Sequence, residues 1–179
     1  VIAGGAGSAC LEAIAARRGA RIVYRPVQVG RIFAEVGTPL LADRHPRAGL
    51  APAFDAPQRA DYLQWMFNLA NMVQPLFRQW WYPGEPAGDA NADAIRAHCA
   101  PRIEAEWQRI DDHLAAHGPC LLGDELSVAD FYLVMLMRWS RNMPKPATEW
   151  PHLAALAQRL KARPSFKALY EREGLAEWA

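Results

Sequence analysis

The stretch Leu121–Ser140, LLGDELSVADFYLVMLMRWS, constrains this chain more than any other. Ser127 followed three residues later by Asp130 has the spacing of a helix N-cap and its capping-box partner, with Asp where Glu or Gln is usual. Leu126 and Phe131 stand at the two positions of a hydrophobic staple. From Tyr132 to Met137 every residue is apolar. A helix that is apolar on every side belongs in the middle of a domain. The stretch therefore predicts a capped central helix with the other elements packed around it. Ser127 and Asp130 are read as a cap, which accounts for both side chains without chemistry.

The chain has 179 residues, enough for one good core or two small lobes sharing an interface. The formal charge is +1 and the basic residues are scattered, so no nucleic-acid stripe is expected. No apolar run reaches the roughly 20 residues of a membrane span. The sequence opens on Val1 without a secretory pattern, and a few leading residues are expected to be absent. Three cysteines, Cys10, Cys99 and Cys120, form no regular spacing. That argues against a disulfide framework and for a reducing, cytoplasmic setting. Neither a Cys-x-x-Cys nor a His-x-x-x-His pairing is read in the chain, and the histidines at 45, 98, 113, 117 and 152 read as scattered solvated or capping residues. No metal is expected.

Val1–Ala3 reads as the end of a strand, Gly4–Gly7 as a turn, and residues from about Ala9 to Arg18 as a helix that Ser8 can cap and Gly19 closes. Arg21–Val29 reads as a second strand with Pro26 at an edge or bulge. Strand–helix–strand is a parallel βαβ unit, so residues 1–45 are assigned to an α/β lobe. Residues 46–57, rich in Pro, Ala and Gly, read as a linker, and residues 58–179 as all-helical. Within that lobe the 3–4 spacing predicts a long helix over Gln58–Trp81 kinked at Pro75, and a loop over Tyr82–Ala90. A helix capped by Asn91, bent at Pro101 and stopped by Gly118-Pro119 comes next. The central helix follows, then a helix over Trp150–Arg163 and a short terminal one over Ser165–Arg172.

Chemistry has few places to sit. Glycines at the Gly4–Ser8 turn let a ligand approach the backbone, and the helix start beyond them favours an anion or thiolate. Ser8 could donate a hydrogen bond to such a sulfur, or act only as a cap. Cys10 could itself be an activated thiolate, or a small buried apolar residue. Glu35 could pair with a ligand's ammonium group or with a helix dipole. Trp65, Trp80 and Tyr82 belong to a dense aromatic set on the long helix and its exit. Most of that set must be core; some could face a cleft between the lobes.

The order of these parts, the linker RHPRAGLAP, the motif LLGDELSVAD and the tail WPHLAALAQRLKARPSFKALYEREGL resemble the glutathione S-transferase family, in particular its bacterial cytosolic members. The resemblance covers nearly the whole chain and is thinner before Pro46. It implies a thioredoxin-like N-terminal lobe that binds glutathione and an all-α C-terminal domain that supplies a hydrophobic co-substrate pocket. In the family a Ser, Tyr or Cys at the start of the first helix contacts the glutathione sulfur. Ser8 stands at that place beside Gly7, with Cys10 as the near alternative. Glu35 matches the family's acid for the γ-glutamyl group, while Val36 replaces the Ser that follows it. The family's helix, cis-proline loop and strand have no counterpart between Gly30 and Arg31. A segment is expected to be missing there, because deleting an interior strand would orphan backbone groups at a cost on the order of several kcal/mol. The other explanation is a chain that lacks these parts and has a crippled glutathione site.

The resemblance implies conjugation of the glutathione thiolate to a hydrophobic electrophile, by a homodimer with no metal, nucleic acid or membrane partner. Two alternatives stay open. One is a non-catalytic binding or assembly module of the same fold. The other is a Cys10-dependent thiol-disulfide or peroxide reductase.

Overall fold

The computed structural model describes residues 42–175. The expected βαβ lobe, the join at Gly30–Arg31, and Gly7, Ser8, Cys10, Glu35 and Val36 all lie outside the described residues. Over the described residues the chain is an all-helical domain, built around the element foreseen at its centre.

That element runs Val128–Trp139, and Ser127 caps it in the extended conformation, φ −125° and ψ 172°. The Ser127 Oγ accepts from the Ala129 N–H at 3.2 Å. Asp130 completes the box: its Oδ2 accepts from the Ser127 N–H at 2.8 Å and from the Ser127 hydroxyl at 3.0 Å. Its Oδ1 reaches back across the preceding loop to the Leu121 N–H at 2.8 Å. The shorter Asp therefore does more than a Glu box, because it ties the loop to the helix start as well. A further free N–H, that of Val128, is taken by the Leu50 carbonyl at 2.8 Å, which pins the linker to the same helix end. Leu126 and Phe131 are half-buried against the core. Of the run Tyr132–Met137, only Met135 is substantially exposed.

Ahead of it lie α1 (Arg59–Asn68), a π-helical turn (Leu69–Val73) and α2 (Gln74–Trp81). The expected kink at Pro75 is replaced by this wide turn. Proline has no N–H and its ring crowds the carbonyl one turn earlier. A stretch of i→i−5 bonds, such as Gln74 N–H to the Leu69 carbonyl, relieves that crowding without breaking the rod. The expected loop at 82–90 also needs correction. It contains a one-turn helix, α3 (Gly84–Ala87), and a 3-10 turn (Asp89–Asn91).

α4 (Ala92–His117) is continuous through Pro101. Gly118 ends it: its N–H donates to the Leu114 carbonyl at 2.7 Å, and a side chain there would collide with that same oxygen. α4 runs antiparallel to α1–α2. Trp65 meets His113, Asn68 meets Arg109, and Gln79 meets Cys99, so rising numbers on one side face falling numbers on the other.

The central helix is α5, followed by α6 (Pro151–Lys161) and α7 (Pro164–Glu173). Pro164 opens α7 as its first residue, where a missing N–H costs nothing. α6 has no cap from its own sequence. The Asp111 carboxylate of α4 caps it instead, with Oδ1 accepting from the His152 and Leu153 N–H groups at 2.8 and 2.9 Å. The core between α1, α2, α4, α5 and α6 holds Tyr62, Phe77, Trp107, Leu133 and Leu153, all fully buried.

The linker is ordered where it meets this lobe. Pro46–Ala48 form a 3-10 turn, and Gly49 follows at φ +63°. The Arg59 guanidinium grips both oxygens of Asp43 at 2.7 and 2.9 Å and donates to the Pro52 carbonyl at 2.9 Å. Among the described residues no helix is long and apolar enough to cross a membrane.

Candidate functional site

A groove lies between the start of α1, the end of α4 and the loop after it, with a volume of about 660 Å³. Gln58, Asp61 and Trp65 face it from α1, at i, i+3 and i+7. Arg109, His113 and His117 face it from α4, at i, i+4 and i+8. Its floor is aromatic: Trp65 is 8% exposed and its ring lies 4.7 Å from that of His113. The Arg109 guanidinium stands 5.2 Å over the Trp65 ring, within cation–π reach. It is held there by bonds to Glu106 and Asn68, each 2.7 Å. His113 Nε2 lies 3.0 Å from the Leu121 carbonyl oxygen. A carbonyl only accepts, so Nε2 carries the proton and donates it. The groove thus offers an apolar, π-rich floor with a polar rim. Among the described residues no nucleophile–base pair lines it.

Of the three aromatic residues expected to form one substrate pocket, Trp65 alone lines this groove. Trp80 is half-buried against the core. Tyr82 is 57% exposed, with the Arg78 guanidinium 5.3 Å over its ring. Fifteen helical residues separate Trp65 from Trp80, roughly 22 Å at the rise of an α-helix. The structure instead brings Trp65 together with Arg109 and with His113 and His117, the two histidines expected to be solvated or capping residues. For the two histidines a signal was present: they stand four apart in HLAAH, on one helix face. Their ring centroids are 4.9 Å apart.

The described thiols are not nucleophiles at neutral pH. Cys99 and Cys120 are both fully buried, and burial pushes each thiol upward from its usual value. For Cys120 the nearby Asp130 charge adds to the rise. Nor is the Asp111–His152 pair, at 3.0 Å, free for chemistry, since the other Asp111 oxygen is occupied in capping α6. Among the described residues no group of three or more His, Cys, Asp or Glu side chains is placed to hold a metal.

The profile of the family described as "Glutathione S-transferase, C-terminal domain" matches residues 70–173. Curated relatives include glutathione S-transferase GstA of Escherichia coli O157:H7, 24% identical over 135 residues, which is 75% of this chain and 64% of the relative. Another is glutathione S-transferase GST-4.5 of Xanthomonas campestris pv. campestris, 28% identical over 139 residues, covering 75% and 66%. The chain therefore spans just under two thirds of the length of either relative. Among solved structures, a glutathione transferase of Methylococcus capsulatus superposes with a TM-score of 0.69 at 29% identity, over 79% of this chain and 66% of that one. A sphingomonad glutathione S-transferase complexed with glutathione gives 0.65 at 28%, over 78% and 66%.

Proposed function

The chain belongs to the glutathione S-transferase family, and from that premise we propose that it conjugates glutathione to a hydrophobic electrophile. The observation that carries the reading is the family match over residues 70–173, most of the described helical domain. A similar protein, the sphingomonad transferase, is complexed with glutathione, which supports glutathione as the thiol substrate here. The buried state of Cys99 and Cys120 adds support, because the sulfur nucleophile then has to come from a ligand or from Cys10.

In this reading the thiol loses its proton to solvent and the thiolate attacks an electrophilic carbon. A C–S bond forms, and the leaving group departs with its bonding electrons. Ser8 donates its hydroxyl to the sulfur, so that more thiolate is present at neutral pH. Gly7, Glu35 and the Val36 backbone hold the tripeptide. Trp65 offers apolar contact to the second substrate from the floor of the groove. Holding both reactants in one cleft supplies much of the acceleration. The division into residues 1–45, 46–57 and 58–179, a homodimeric assembly and a cytoplasmic location belong to the same proposal.

The test uses the full chain, an aryl halide and glutathione. Ser8→Ala is expected to cut turnover far more than it weakens retention on immobilised glutathione. Equal loss of both, or no loss, refutes the role given to Ser8. Loss on Cys10→Ser with Ser8 intact would instead establish the reductase-type alternative. Val36, standing where the family's Ser is expected, favours a second reading: a binding module without turnover. Retention on glutathione with no conjugation by the unaltered chain would establish it.

A further inference from the structure

We propose that His113 and His117 form a chelating pair for a borderline divalent cation of the Zn²⁺ type at the end of α4. This inference does not rest on the transferase reading. Two histidines at i and i+4 present their rings on one helix face, and imidazole suits such ions. A zinc–nitrogen bond of about 2.0–2.1 Å, plus about 1.1 Å from ring nitrogen to ring centre, puts each centroid about 3.2 Å from the metal. Ligand angles of about 90–110° then set the two centroids about 4.5–5.2 Å apart. The observed separation, 4.9 Å, falls inside that window.

The hydrogen bonding is also that of a ligand. A metal-binding histidine commonly donates its other ring N–H to a carbonyl or carboxylate, which fixes tautomer and orientation. His113 does so already, through Nε2 to the Leu121 carbonyl at 3.0 Å, and Nδ1 is left to bind. His117 is exposed, so its ring can adjust to a metal with little resistance. Electrostatics agree. The pair occupies the last turns of α4, where the helix dipole is negative and a cation is favoured. The Asp61 carboxylate lines the same groove, and the one guanidinium lining it among the described residues, that of Arg109, is bonded to Glu106. Because no third described ligand is in place, water or a groove-bound molecule would fill the remaining positions.

The test is calorimetric titration of the full chain with Zn²⁺ alone, at neutral pH in a non-chelating buffer. One ion per chain is expected. His117→Ala, at an exposed position, should weaken binding by about tenfold or more. His113→Gln, which keeps a donor for the Leu121 carbonyl, should do the same. His98→Ala, exposed on the same helix but outside the groove, should change nothing. Zn²⁺ should also raise the thermal midpoint of the wild type and of His98→Ala, but not of His117→Ala. Absence of binding, or equal binding by wild type and His117→Ala, overturns the proposal.

Discussion

Replacing Asp130 with Asn keeps the shape of the side chain and removes one acceptor. The carboxylate is fully buried and takes two main-chain N–H groups, those of Leu121 and Ser127, each at 2.8 Å and each on a different oxygen. An amide has one oxygen, so one of these N–H groups must face an NH₂ group. Leaving a buried donor unsatisfied costs about 1–3 kcal/mol, and a charge-assisted bond is lost besides; the sum is about 2–4 kcal/mol. Urea unfolding followed by tryptophan fluorescence measures it directly. The effect should also depend on pH. Burial holds the Asp130 carboxyl above its usual 3.8, and the hydrogen bonds from Leu121 and Ser127 only partly offset this. The folded chain thus binds that proton more tightly than the unfolded chain does. The resulting stability is complete below pH 3.8 and is lost as pH rises through the higher folded value. Asn has no proton to release, so the variant's deficit should shrink as the pH rises above about 4. A total loss below about 0.5 kcal/mol, or a deficit that grows with pH, would refute the reasoning.

Arg59→Lys should cost about 1–2 kcal/mol, because an ammonium cannot span both Asp43 oxygens and the Pro52 carbonyl at once; an unchanged urea midpoint would contradict it. Tyr62→Phe should be neutral or slightly stabilising, since the buried Tyr62 hydroxyl has no hydrogen-bond partner among the described residues and burial pushes its pKa up to about 12; a loss above about 1 kcal/mol in thermal unfolding would count against this. In a Cys10→Ser background Ellman's reagent should label no thiol until denaturant is added, because Cys99 and Cys120 are fully buried. Rapid labelling of either would show the lobe to be looser than described.

The capping box was legible because both of its halves lie within four residues, and the buried centre was legible because apolar residues run unbroken from Tyr132 to Met137. The wide turn at 69–73 was not. Pro75 announces a disturbance, but the hydrophobic spacing is equally compatible with a kink or a π turn, and packing against α5 is absent from local sequence. The cap on α6 was invisible for a different reason: its acceptor, Asp111, lies 41 residues before the N–H it serves. On the site side, Trp65, Trp80 and Tyr82 were grouped as aromatic neighbours on one helix. Helix rise separates them, whereas the fold joins Trp65 to a histidine 48 positions away through an antiparallel contact. The expectation of no His-x-x-x-His pairing is wrong: His113 and His117 in HLAAH have that spacing, and their rings lie 4.9 Å apart.

The buried polar residues of the described lobe are Gln74, Asp111, Ser127, Asp130 and Ser140. Each is engaged within the lobe. Tyr132 donates to Gln74, Asp111 caps α6, Ser127 and Asp130 cap α5, and Ser140 both donates to the Met137 carbonyl and accepts from the Ala147 N–H. None of them directs a spare lone pair or proton toward a ligand. Groups so engaged fix helix ends and cannot move a proton in a reaction without undoing the packing they secure. What the lobe has to offer is its groove: an aromatic floor, a held guanidinium and a histidine pair at a negative helix end. Under the proposed function, a surface of that kind is the part of the described lobe suited to hold a second reactant. Because Cys99 and Cys120 are buried, the proposed conjugation needs its sulfur from outside the described residues, so substitutions at Ser8 and Cys10 test that proposal, and changes at Ser127 or Asp130 report on stability.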